Sequence, residues 1–327
     1  MTILVTGSAG HLGEALMRTL RGAKRAAVGV DVKPSQYTDH VGSIADRAFV
    51  RDAMRGVDAV LHTATLHKPH VATHTRQDFV DTNVSGTLNL LEEALSASVR
   101  QFVFTSTTSV YGYALNPVPG APAVWVDEDL VPIPKNIYGI TKLAAENLCA
   151  LFQRKFGLPC IVLRTSRFFP EIDDNADTRG RYADANVKAN EFLYRRVDVA
   201  DVVDAHFLAL ERAAAIGFSR YVISATTPFA RSETASLRNH ATSIVSAHVP
   251  EYAAEFARRG WSMFTDIGRV YDNAKARAEL HWKPRFDFAH VVSLLKTQDD
   301  FRSELARRIG SKGYHEETFE EGPYPVD

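Results

Sequence analysis

Cysteine is nearly absent: Cys149 and Cys160 are the only two in 327 residues. One falls in a helical pattern and the other in an apolar strand pattern, so both read as core residues rather than metal ligands or a bridge. Long apolar runs are missing too. None approaches the roughly 20 residues of a membrane span, and the short run after Met1 is a strand rather than a secretory signal. Neither sign of charge is in excess, with 38 Lys+Arg against 39 Asp+Glu and a net charge of −1. No basic field is therefore expected for nucleic acid or for a membrane surface. There is no internal repeat and no low-complexity tract. With 45% apolar and 24% charged residues, the chain reads as a globular protein of one large or two ordinary domains. A reduced, cytoplasmic setting is the expectation.

What the sequence does have is a glycine turn, Thr6-Gly7-Ser8-Ala9-Gly10-His11-Leu12-Gly13. It lies between the apolar run Ile3-Leu4-Val5 and a helical pattern, Leu12, Leu16 and Leu20. A strand ending in such a turn presents backbone N–H groups and the positive end of a helix to any anion placed there. By itself the G-x-x-G-x-x-G spacing is compatible with a turn that binds nothing. A second strand pattern, Ala26-Ala27-Val28-Gly29-Val30, ends on Asp31. An acidic residue about 20 positions past the glycines is placed to accept hydrogen bonds from an adenosine ribose and to repel a 2′-phosphate. Together they favour an NAD site.

Strand patterns then alternate with helical ones. Val57 to His62, Gln101 to Thr105 and Cys160 to Arg164 read as strands, with a long helix over 76–97 and another beginning near Ile137. The prolines of 116–122 and 131–134 make loops before that last helix. Such alternation predicts an α/β fold, a doubly wound parallel sheet with right-handed crossovers and ligands at the carboxyl ends of its strands. Past residue 165 the alternation loosens. Residues 173–181 read as a surface loop or lid, 197–213 as a last α/β piece, Arg220 to Ser224 as a strand, and the acidic tail Glu316 to Asp327 as poorly ordered.

The helix near Ile137 opens with Tyr138-Gly139-Ile140-Thr141-Lys142. Tyr138 and Lys142, four apart, share a helical face, and an ammonium beside a phenol is expected to lower its pKa. The strand end Thr105-Ser106-Thr107-Thr108-Ser109 supplies hydroxyls to hold a substrate oxygen against the phenol. The set suits proton exchange with an alcohol during hydride transfer to a nicotinamide.

These motifs resemble the extended short-chain dehydrogenase/reductase, or NAD-dependent epimerase/dehydratase, family. The resemblance covers most of the chain. It adds Asp58 to Ala64, Asn83-Val84-Ser85-Gly86-Thr87, Val110-Tyr111-Gly112, Arg164, Val199-Ala200-Asp201-Val202 and Leu280-His281-Trp282-Lys283-Pro284. It implies a Rossmann-type NAD-binding domain over 1–166, with 194–226 returning to it, and a smaller, mostly helical substrate-binding region over 167–327. It further implies Thr107, Tyr138 and Lys142 as the catalytic set. Gly7, Gly10, His11, Leu12, Gly13, Asp31, Ser43, Ile44, Thr63, Ala64, Asn83 and Thr105 fall at cofactor positions, along with Tyr138 and Lys142. For Asn83 a buried amide tying two loops is the competing reading. A homodimer through helices 76–97 and 137–156 is implied as well.

Departures from the family pattern narrow the activity. Ser43 stands where the family usually has an Asp. The Asp-Glu pair of sugar-nucleotide dehydratases is here Thr108-Ser109, neither able to eliminate water as acid or base. Arg167 replaces an Asn that helps hold the nucleotide pyrophosphate in sugar-nucleotide epimerases, and its fork suits a carboxylate or phosphate. Arg179, Arg181, Arg195 and Arg196 are nearby in sequence. The expected substrate is a sugar, sugar acid or sugar nucleotide, a small acidic sugar derivative by hypothesis. UDP-sugar 4-epimerase proper and a non-catalytic NAD-binding protein are the alternatives. His62, His67, His70 and His74 could mark a metal, but no fixed ligand geometry follows from their spacing. No metal is expected, and the resemblance puts His67 at the substrate.

Overall fold

The computed structural model describes residues 1–313 and 319; the tail of 316–327 lies outside the described residues except for Phe319. Seven strands form one sheet in which every pair is parallel. In chain order they are β1 (Ile3–Thr6), β2 (Ala27–Asp31), β3 (His40–Val41), β4 (Ala59–His62), β5 (Gln101–Thr107), β7 (Cys160–Thr165) and β8 (Phe218–Ile223). Their order across the sheet is β3-β2-β1-β4-β5-β7-β8. A separate parallel pair joins β6 (Val124–Val126) to β9 (Arg269–Tyr271).

Strand order reverses between β1 and β4: Thr6 sits beside Val30 on one side and His62 on the other. Connections leave in opposite directions there, so the carboxyl ends open into a crevice. β1, β4 and β7 are buried along their whole length, which explains why their sequences are unbroken apolar runs. Alternation sorts their side chains. Ile3 and Val5 join Leu16, Leu61 and Val202 on one face, whereas Leu4 and Val60 join Leu91, Phe104 and Phe152 on the other. The first core is roofed by α1 (His11–Gly22) and the helix Val199–Ile216, the second by the helices Gly86–Ser96 and Ile137–Phe156. Cys149 and Cys160 are free and buried in the second core. A third core gathers Phe192, Leu237, Phe256, Val270 and Phe288 from the later helices and β9.

Two elements differ from their sequence patterns. The long helix over 76–97 is helical throughout, but Val80–Ser85 is wound as a π-segment between Arg76–Phe79 and Gly86–Ser96. Hydrophobic spacing does not register one extra residue per turn. The expected loop over 173–181 contains a helix, Ala176–Arg181, whose N-cap Asn175 accepts from Thr178 N; its six residues bury no side chain and so leave no apolar signature.

His206, buried in the helix Val199–Ile216, contacts Val202 O through Nδ1 (2.8 Å) and Thr105 Oγ1 through Nε2 (2.7 Å). Burial lowers its pKa to about 4. An unfolded histidine therefore binds a proton that the folded one refuses as pH falls below its usual value of about 6.5, so folding stability drops over that window. Chemical denaturation of wild type and His206→Gln between pH 7 and pH 4.5 should show a shallower pH dependence in the variant. Parallel curves would contradict this.

Candidate active site

One large cavity, about 1160 Å³, runs along the carboxyl ends of the sheet. At one end it is lined by Asp31, Ser43 and Ile44, in the middle by the glycine turn with Thr63 and Ala64, and at the other by Thr105, Thr107, Tyr138 and Lys142. His67 and Arg167 also line it. Of the sequence-derived candidates only Asn83 is missing from its wall.

The glycine turn is built for close approach. Gly7 has φ +73°, and a Cβ there would lie 2.8 Å from Ala64 N; a Cβ on Gly13 would lie 1.9 Å from Gly7 O. Side chains at these positions would separate strand, turn and helix. Gly10 caps α1 without any side-chain hydrogen bond, so the helix start still offers its first N–H groups to an anion. Asp31 closes the turn from outside, accepting Ala9 N through Oδ2 and Lys33 N through Oδ1, both at 2.9 Å. His11, 7% exposed, has neither ring nitrogen hydrogen-bonded. Burial lowers its pKa, with Glu171 opposing. A dinucleotide fits this cradle: a pyrophosphate at the helix start, an adenosine ribose beside Asp31 and a nicotinamide toward Tyr138.

Asn136 caps the helix that carries the chemistry, accepting Gly139 N at 3.2 Å, which fixes the first turn on which Tyr138 stands. Lys142 Nζ donates to Thr105 O at 2.7 Å. Burial brings the lysine down to about 7 and pushes the Tyr138 phenol up to about 12, with the neighbouring Thr107 pulling the other way. The expected lowering of the phenol is thus reversed, because burial disfavours the phenolate and the ammonium donates to a strand carbonyl. Thr107 and Tyr138 nonetheless both line the cavity.

Asn83, 2% exposed, accepts Thr65 Oγ1 and Leu66 N and donates to Leu66 O and Thr141 Oγ1. All four of its hydrogen-bonding positions are used. The amide ties the loop of Thr65 and Leu66 to the helix carrying Thr141. Arg167 also differs from expectation. Its fork is taken by Asp173 (2.5 Å), Glu191 (3.2 Å) and Asp174 (3.4 Å). Burial alone would raise Glu191, but Arg196, Arg195 and Arg167 hold it down to about 2. The arginine grips its own carboxylates. Of the histidines, His62 is buried between Thr6 and Thr87; His67 stacks on Phe169 at 5.9 Å and meets His70 edge-on at 4.4 Å. Among the described residues no group of three or more His, Cys, Asp or Glu is placed to hold a metal, and no helix is long and apolar enough to cross a membrane.

Sequence reading missed several wall residues. Arg269 and Tyr271 arrive from β9, and Lys312 and Gly313 from the far end of the chain. The latter segment is held by Glu171, which accepts Ser311 Oγ (2.7 Å) and Lys312 N (3.2 Å), while Lys312 Nζ pairs with Glu14. Long-range packing places all four, and no local pattern marks them.

A model of the NAD dependent epimerase/dehydratase family matches residues 3–224. The chain belongs to that family. Its relatives include a UDP-glucose 4-epimerase of Lactobacillus helveticus, 26% identical over 324 residues, covering 88% of this chain and 93% of the relative. Sterol demethylase protein B of Methylococcus capsulatus is 30% identical over 68% of this chain and 70% of its own. The match to an uncharacterized UDP-glucose epimerase of Bacillus subtilis spans only about half of each, 50% and 55%. Among solved structures, an NAD-bound short-chain dehydrogenase/reductase superfamily protein from Agrobacterium tumefaciens superposes with a TM-score of 0.66 at 25% identity, over 91% of this chain and 96% of that one. MoeE5 in complex with UDP-glucose and NAD gives 0.63 at 25%, over 94% and 99%. Like its family, the chain is an NAD-dependent enzyme of the extended short-chain type.

Gly13→Ala should weaken NAD binding at least tenfold, because the added methyl displaces the Gly7 carbonyl and with it the turn. Calorimetric titration with NAD measures this; undiminished affinity would remove the turn from the site.

Proposed function

We propose that this enzyme oxidises a hydroxyl of a sugar or sugar derivative, either transiently as an epimerase or with net release of NADH as a dehydrogenase. One observation carries the reading: Thr107, Tyr138 and Lys142 line the same cavity as the glycine turn and Asp31. NAD, which the glycine turn, Asp31 and Lys142 would hold, would supply the hydride acceptor. The remaining work falls to side chains. Thr107 holds the substrate oxygen against the phenol, and Lys142, fixed on the Thr105 carbonyl, holds the nicotinamide ribose. In the reducing direction the neutral phenol donates the proton that the product oxygen needs. In the oxidising direction it accepts the alcohol proton as its own is passed on, toward Lys142, whose lowered pKa suits it to share that proton.

UDP-sugar 4-epimerase proper is the second reading, and the UDP-sugar relatives favour it. Against it, Arg167 is neutralised by Asp173 and Glu191, and these carboxylates would repel a diphosphate beside them. A smaller substrate is the better fit. We assign its binding to residues 167–327 with the glycine turn and catalytic set in 1–166, place the enzyme in the reducing cytoplasm on its two buried free thiols, and infer a homodimer. Exposed Leu95, Ile140, Leu151 and Phe156 on the helices Gly86–Ser96 and Ile137–Phe156 support that pairing. A non-catalytic NAD-binding role leaves the Thr107–Tyr138–Lys142 set without a use.

Tyr138→Phe should retain NAD binding and lose turnover by about 10² to 10⁴-fold, measured on a panel of sugars, sugar acids and sugar nucleotides with NADH absorbance and product-isomer analysis. Undiminished turnover would end this mechanism. Asp31→Ala should reduce the preference for NAD over NADP; an unchanged ratio of their dissociation constants would take Asp31 off the ribose.

A further inference from the structure

Arg269 opens β9, where strand alternation puts Arg269 and Tyr271 on one face and Val270 on the other. Val270 is fully buried in the third core, while Arg269 and Tyr271 both line the cavity. Tyr271 N donates to Tyr194 O at 3.0 Å, so β9 runs beside the segment that carries Arg195. The neighbouring cations of this wall are already paired: Arg195 with Glu191 (2.7 Å), Arg167 with Asp173 and Glu191, and Lys68 with Asp174 (2.7 Å). Arg269 differs from them. It has no hydrogen bond or ion pair among the described residues; its Nε, like that of Arg195, is buried without a partner. A buried donor without an acceptor is costly, more so when it belongs to a charged group.

We propose that Arg269 is the specificity-determining residue of the substrate pocket, its guanidinium fork taking a single carboxylate or phosphate monoester carried by the sugar. This rests on the hydroxyl-oxidation reading above and names the class of molecule it acts on. A fork presents two parallel N–H groups in the plane that matches two oxygens of one such group. One unpaired guanidinium accommodates one anion. A second anionic group would find the other cations of the wall, Arg167, Arg195 and Lys68, already engaged by carboxylates. A neutral sugar or sterol would leave the buried Nε of Arg269 without a partner.

The test uses NAD-loaded wild type, Arg269→Gln, Arg269→Lys and Tyr138→Phe. Each is titrated calorimetrically and assayed with a hexuronate, a hexose 6-phosphate, the neutral hexose and UDP-glucose. The hexuronate and hexose phosphate arms distinguish the two sources of the anion. The better of those two should bind wild type ahead of the neutral hexose and of UDP-glucose. Arg269→Gln should raise its KM roughly 10- to 100-fold while kcat moves by no more than about threefold. Arg269→Lys should recover only part of the loss, since it restores charge without the fork. Equal KM in wild type and Arg269→Gln overturns the proposal, and so does preference for the neutral hexose or UDP-glucose, or failure of both the hexuronate and the hexose 6-phosphate to bind. If Arg269→Gln has no effect while Tyr138→Phe abolishes turnover, only the anion assignment fails. If Tyr138→Phe turns over normally, the reaction itself has been misread.

Discussion

Everything at the reactive end of the cavity depends on one joint, where the helix Ile137–Phe156 is bound to the carboxyl end of β5. Lys142 Nζ donates to the Thr105 carbonyl at 2.7 Å, and Glu146 accepts Ser106 Oγ at 2.6 Å. Arg164, reaching across from β7, grips the same Glu146 at 2.8 Å, and Arg220 from β8 adds a contact at 2.9 Å. Glu146 is fully buried, so removing one of these partners would leave charge stranded in the interior, a loss of about 3–5 kcal/mol for a buried pair. Three strands and one helix are thereby registered on a single carboxylate. The register brings Tyr138 and Thr107, one residue beyond Ser106, to the wall of one cavity.

The other end of the cavity is set by backbone proximity rather than by charge. β1 and β4 are neighbours whose connections leave in opposite directions, and the turn after β1 packs so tightly against Ala64 and the start of α1 that Gly7 and Gly13 admit no Cβ. Asp31 ties that turn to the end of β2. The glycine turn with Asp31 and the pair Thr107 and Tyr138 are therefore two consequences of one parallel sheet. Each lies at the carboxyl end of a strand, and the cavity between them is continuous.

Much of this was legible in the sequence because it is local or strictly ordered along the chain. Unbroken apolar runs marked β1, β4 and β7, the glycine spacing marked the turn, and the four-residue offset of Tyr138 and Lys142 marked their shared helical face. What was illegible depends on distant partners. Arg167 looked like a substrate fork until Asp173 and Glu191 folded against it. Asn83 sat at a cofactor position by resemblance, yet the π-segment turns its amide onto Thr65, Leu66 and Thr141. The phenol was expected to be acidified by its lysine, but burial of both groups outweighs their proximity. Arg269, Lys312 and Gly313 come from segments with no motif and meet the cavity only through tertiary packing.

The central claim is that the Tyr138 phenol and a nicotinamide ring occupy the same small space. A crystal structure of the NAD complex tests it most directly. The account predicts the adenosine ribose on Asp31, the pyrophosphate on the first turn of α1, and the nicotinamide riboside within hydrogen-bonding reach of both Lys142 Nζ and the Tyr138 hydroxyl. A nicotinamide held elsewhere, or a phenol turned away from it into packed interior, would contradict the account and leave a dinucleotide-binding fold without this reaction.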